Sequence, residues 1–145
     1  MIIYTMGFTK KNAKEFFEKV RHNEIDILVD VRLNNSSQLA GFAKGRDLEF
    51  FLERLCQCDY KHMLAYAPTK EILDGYKKGK ISWEEYAGEY NALIERRKVE
   101  ETFQNNFKQY ERVLLLCSES TPENCHRRLL AEYLAEKLQV EIKHI

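Results

Sequence analysis

Apolar positions along the chain switch between the period of a strand and the period of a helix. Ile2-Ile3-Tyr4-Thr5-Met6 is a short β-prone run that Gly7 ends. Thr9 is placed to cap a helix on which Ala13, Phe16, Phe17 and Val20 recur at helical spacing, and Asn23 supplies a stop. Ile25-Asp26-Ile27-Leu28-Val29-Asp30-Val31 follows, nearly all apolar and β-branched, which suits a strand buried on both faces of a parallel sheet. Strand, helix and strand in this order form a βαβ unit, and its crossover is expected to be right-handed.

The periodicity lapses from Leu33 to Arg46. Loops of that length inside a compact domain are usually functional or mobile. Asp47 is then placed to cap a helix with Leu48, Phe51, Leu52 and Leu55 inward, and a short strand is expected near Tyr60 to Leu64. The middle of the chain reads as helical. Thr69 starts a short helix ending near Gly79, and Ser82 with Glu85 makes a capping box before Tyr86, Tyr90, Leu93 and Ile94. A further helix spans roughly Val99 to Tyr110. Val113 to Cys117 is again a strand. Thr121-Pro122 fits a helix start, with Leu129, Leu130, Tyr133, Leu134 and Leu138 inward, and Val140 to His144 closes the chain as a strand. The fold class is therefore α/β: one domain over residues 1–145, with a mostly parallel sheet of about five strands flanked by helices and a helical insert before the penultimate strand.

Composition narrows the picture. The 145 residues are 44% apolar and 32% charged, the profile of a globular chain that buries enough surface to fold without metal or disulfides. Lysine plus arginine equals aspartate plus glutamate at 23 each, so no net charge draws the chain to nucleic acid or an anionic membrane. No apolar run approaches a membrane span, and the opening residues carry no basic flank or cleavage site of a signal peptide. Four cysteines in such a chain are expected as free thiols in a reducing, cytoplasmic compartment.

The candidate chemistry collects at one sheet edge. Cys117 ends a strand; Cys125 and His126 precede Leu129 and Leu130 by four residues, which puts them on the same buried helix face, one turn earlier. Asp30 and Arg32 end another strand and Gly7 a third, and ligands of open α/β sheets bind at the carboxyl ends of the strands. Cys125 or Cys117 could act as a thiolate and His126 could move a proton, while Arg32, Arg127 and Arg128 with helix-start amides could hold an anion. The same residues also admit a plain reading: cysteines as packing, His126 bonded to backbone, and Asp30 with Arg32 as a buried ion pair. Glu119 adds negative charge where an anion would sit. Zinc is not expected, since Cys56-Gln57-Cys58, His62 and the Cys125-His126 pair match no common ligand spacing. The basic runs Lys77-Lys78-Gly79-Lys80 and Arg96-Arg97-Lys98 read as solvated helix ends.

The stretch Leu115-Leu116-Cys117-Ser118-Glu119, Pro122 and Cys125-His126-Arg127-Arg128-Leu129-Leu130-Ala131-Glu132 resembles the signature of domain-of-unknown-function family 488. Ile3 to Gly7, Leu28 to Arg32, Ser37, Phe42, Tyr60-Lys61-His62 and His144-Ile145 extend the likeness over nearly the whole chain. The resemblance implies a small α/β protein with characteristic polar residues at Gly7, Asp30, Arg32, Ser37, Cys117, Glu119, Cys125, His126 and Arg127. It implies no established activity. Phe8 stands where the family often has histidine, and Asn35 and Gln38 where it often has proline and arginine. There is a looser likeness to rhodanese-type sulfurtransferases, although Cys117 and Arg127 are spaced too widely for their compact active loop. The expected site thus has Cys125, His126 and Cys117 as chemical groups and Arg32, Asp30, Arg127, Ser37, Gly7 and Glu119 around a small anionic, nucleotide-like ligand, with no cofactor. The alternative is a non-catalytic module contacting nucleic acid or a protein partner through the loop from Leu33 to Arg46 and the helical insert.

Overall fold

The computed structural model describes residues 1–36 and 40–145. Its order is β1 (Ile2–Gly7), α1 (Ala13–His22), β2 (Ile27–Asp30), a 3-10 turn (Gly41–Ala43), α2 (Gly45–Cys56), β3 (Asp59–His62), a 3-10 turn (Leu64–Tyr66), α3 (Lys70–Lys77), α4 (Trp83–Arg96), α5 (Val99–Phe107), β4 (Arg112–Cys117), α6 (His126–Leu138) and β5 (Glu141–His144). The five strands form one sheet in the order β3-β2-β4-β1-β5, and every neighbouring pair is parallel. The expected α/β fold is present, with α3, α4 and α5 as the helical insert before β4. The strands of the opening βαβ unit are not paired to each other, because β4 lies between them.

Side-chain alternation divides the core in two. On β4, Val113, Leu115 and Cys117 join a cluster with residues of α4, α5 and α6. Leu114 and Leu116 face the other way, with Phe16, Phe17, Leu48 and Leu52 of α1 and α2. Both faces of the central strands are thus covered, as their unbroken apolar runs require. Among the described residues no helix is long and apolar enough to cross a membrane.

Three helix starts differ from the sequence expectation. Asn12, not Thr9, caps α1: its side chain accepts from the Glu15 N–H at 2.8 Å, and Ala13 is exposed. The Thr9 hydroxyl instead donates to the Ser118 carbonyl, tying β1 to the loop after β4. Helix α2 begins at Gly45, before Asp47, and Leu55 lies half exposed at 52%. Helix α6 begins at His126, four residues beyond Pro122. Residues 118–124 are irregular, and two carbonyls at the start of this segment are held from outside it: Thr9 donates to the Ser118 carbonyl, and Arg127 Nη1 donates to the Glu119 carbonyl at 2.6 Å.

Candidate functional site

Cys117 points from the end of β4 toward α6 because it shares the parity of Val113 and Leu115. Cys125 is the N-cap of α6, so its thiol lies beside the strand end, with Sγ–Sγ 2.9 Å to Cys117. His126 opens the same helix. Its Nε2 is 2.7 Å from the Val31 carbonyl and its Nδ1 is 3.7 Å from Cys117 Sγ. A carbonyl only accepts, so Nε2 carries a proton and the Nδ1 lone pair of the neutral ring faces the thiol. All three side chains are buried, and the His126 ring packs edge-on to Tyr90 at 5.4 Å.

The electrostatics favour charge separation between them. Hydrogen bonding from Cys125 holds the Cys117 thiol well below the usual range, against the opposing pull of burial, and His126 and the Glu119 amide add to the effect. Burial pushes Cys125 up, and the adjacent Cys117 sulfur pushes it further. Burial works against charge on His126, yet the facing Cys117 sulfur and its hydrogen bonds leave it raised. These directions favour a Cys117 thiolate beside a His126 imidazolium, with Cys125 the more firmly protonated of the two thiols.

The three residues border a cavity of about 130 Å³. Arg32, Asn34, Ser118, Glu119 and Asn124 contribute to its lining, as do Leu73, Tyr76 and Lys77 of α3 and Tyr86 of α4. A larger open hollow of about 400 Å³ lies near Glu49, Glu53 and Asp59, but the thiol it reaches, Cys58, is pushed up to about 12 by burial. Cys117, Cys125 and His126 all border the smaller cavity and none borders the larger.

The family model for a domain of unknown function, DUF488, matches residues 12–134. The chain belongs to the DUF488 family. Neither the curated proteins nor the solved structures give a match.

In this DUF488 protein the expected site residues fall into two groups on opposite sides of the sheet. Cys117, Cys125 and His126 come together on the α6 side. Asp30 shares the parity of Leu28 and lies on the α1–α2 side. There it accepts from Arg32 Nε at 2.8 Å, Arg32 Nη2 at 2.7 Å and Tyr60 Oη at 2.7 Å. Arg32 stacks over Phe8 and donates to the Ala43 carbonyl, while still bordering the cavity; its Nη1 is buried with no hydrogen-bond partner among the described residues. Gly7 is a close-approach position, since a Cβ there would lie 1.5 Å from the Glu119 carbonyl oxygen. Arg127 is buried against the same carbonyl, and Glu119 presents its amide to Cys117 while its side chain is exposed. Arg128 turns outward to Glu132 and Trp83. Ser37 lies outside the described residues.

Sequence reasoning missed Lys77, Tyr76, Tyr86, Asn34 and Asn124 as walls of the cavity. The capping box at Ser82 sets the phase of Tyr86, but only the packing of α3 and α4 over the strand ends brings them there.

The ligand atoms of Cys117, Cys125 and His126 lie within 4.8 Å of one another, which raises the question of a metal. Two thiolates on a tetrahedral zinc sit about 3.8 Å apart, given Zn–S bonds of about 2.3 Å. The observed 2.9 Å is shorter than that separation and longer than the roughly 2.05 Å of a disulfide bond.

Proposed function

We propose that this protein is a thiol-dependent catalyst in which the Cys117 thiolate attacks a small anionic substrate held in the adjoining cavity. The observation that carries this reading is the His126 ring, locked by the Val31 carbonyl with Nδ1 turned to Cys117. That orientation lets His126 take the Cys117 proton and return it to a leaving group. Cys125 donates to the thiolate in the resting state. Anion preference is supported by Lys77 and by Arg32 Nη1, which has no hydrogen-bond partner among the described residues while the rest of that guanidinium is paired with Asp30; the Glu119 carboxylate opposes it. The cavity admits a fragment of a nucleotide-sized ligand rather than the whole of one. A non-catalytic module for nucleic acid or protein would need no activated thiol.

The test is residue-resolved iodoacetamide labelling across pH. The Cys117 rate is expected to reach its plateau at lower pH than an ordinary thiol, because its thiolate persists as pH falls. Cys56, pushed up to about 11 by burial, stays slow at neutral pH. At pH 7 Cys117 should label roughly tenfold faster or more, and His126→Gln should remove most of that advantage. A Cys117 that labels no faster than Cys56 at any pH would refute the reading.

A further inference from the structure

The geometry points to Cys125 as a resolving thiol, which makes the substrate of Cys117 a small anionic disulfide. This rests on the reading of Cys117 as the nucleophile and adds the identity of the electrophile. Three observations carry it. The two sulfurs are 2.9 Å apart, so a disulfide bond of about 2.05 Å needs only a small side-chain rotation. Cys117 and Cys125 both border the same cavity, so both can reach one bound sulfur. Cys125 sits at the N-cap of α6, where helix-start amides favour a thiolate once the charge on Cys117 has been consumed.

The steps balance. The Cys117 thiolate attacks one sulfur of R–S–S–R, forming a Cys117–S–S–R mixed disulfide and expelling R–S⁻, which takes the proton held by His126. Cys125 then loses its own proton and attacks Cys117 Sγ. That expels the second R–S⁻, which takes the Cys125 proton. The substrate disulfide is reduced to two thiols and the Cys117–Cys125 pair is oxidised to a disulfide. A separate thiol reductant returns the pair to the dithiol.

The experiment treats the reduced protein with dithiodiglycolate, with cystamine as a cationic counterpart, and follows released thiol and intact mass. Wild type is expected to release two equivalents of thiol, lose two hydrogens and carry no adduct, with Cys117 and Cys125 joined in the peptide map. Cys125→Ser, and Cys125→Ala in case the serine variant folds poorly, should release one equivalent and hold the adduct on Cys117. The adduct should persist at least about 100-fold longer than in wild type, as expected for loss of an intramolecular step. Dithiodiglycolate should react faster than cystamine. Wild type that stops at the Cys117 adduct would overturn the resolving role and leave the nucleophile standing. Wild type that releases no thiol and forms neither a Cys117 adduct nor the Cys117–Cys125 disulfide would instead remove the nucleophile itself. Stoichiometric zinc that survives gel filtration and blocks both steps would overturn the proposal in favour of a metal site.

Discussion

Asp30 shows how a residue that looks chemical can be consumed by structure. Its carboxylate accepts two bonds from the Arg32 guanidinium, one from the Tyr60 hydroxyl and one from the Arg32 amide, and it is fully buried. Burial, then the Asp30 charge, drives the Tyr60 hydroxyl far above its ordinary range, so Tyr60 is a fixed donor. Truncating one partner of a buried ion pair leaves the other charge uncompensated, at a cost of about 3–5 kcal/mol. Asp30→Asn is therefore expected to lower the unfolding free energy by about that amount in urea titrations. Tyr60→Phe, which removes one bond to a charged acceptor, should cost about 1.5–3 kcal/mol. If Asp30→Asn were near neutral in stability while abolishing ligand binding, Asp30 would be a substrate contact instead.

At the scale of elements, the site depends on how closely the β4–α6 loop can approach β1. Gly7 pairs with Cys117 in the sheet register and leaves room for the Glu119 carbonyl, which Arg127 then secures. The Glu119 amide in turn faces the Cys117 sulfur. Gly7→Ala places a methyl where that carbonyl sits, so the loop must move, at an overpacking cost of about 1–3 kcal/mol. We expect a lower melting temperature together with slower Cys117 labelling at neutral pH. A fall in melting temperature with labelling unchanged would show that the loop does not tune the thiol. The helix starts carry a related lesson. Asn12 and Ser82 cap through their own side chains, and Ser82 was legible in the sequence as half of a capping box. Thr9 and Thr121-Pro122 have the same local credentials, but the Thr9 hydroxyl makes a tertiary bond to Ser118, and Thr121-Pro122 is followed by irregular chain up to the start of α6 at His126.

At the scale of the molecule, stability is unevenly distributed. The central strands β4 and β1 are buried on both faces, whereas α3 contains no fully buried residue and packs mainly against α4. Hydrogen exchange should therefore be slowest in β4 and β1, with α3 exchanging about 100-fold faster or more through local opening. Comparable protection in α3 and β4 would contradict this distribution. Because α3 supplies Leu73, Tyr76 and Lys77 to the cavity, the wall beside the thiols is also the least firmly held part of it.

The sequence by itself determined the α/β class, the two-faced burial of the central strands and the placing of Cys125 and His126 one turn above Leu129 and Leu130. Each of these follows from local periodicity, which is set by backbone geometry within a few residues. It also carried the family signature. Tertiary structure alone decided that β4 lies between β1 and β2, and so that Val31 supplies the carbonyl orienting His126. It decided that Asp30 and Cys117 face opposite sides of the sheet, because parity gives a side only once the strands are paired and their faces covered. It also set the 2.9 Å between two cysteines eight positions apart, which depends on where an irregular loop, pinned by Gly7, Thr9 and Arg127, delivers the start of α6.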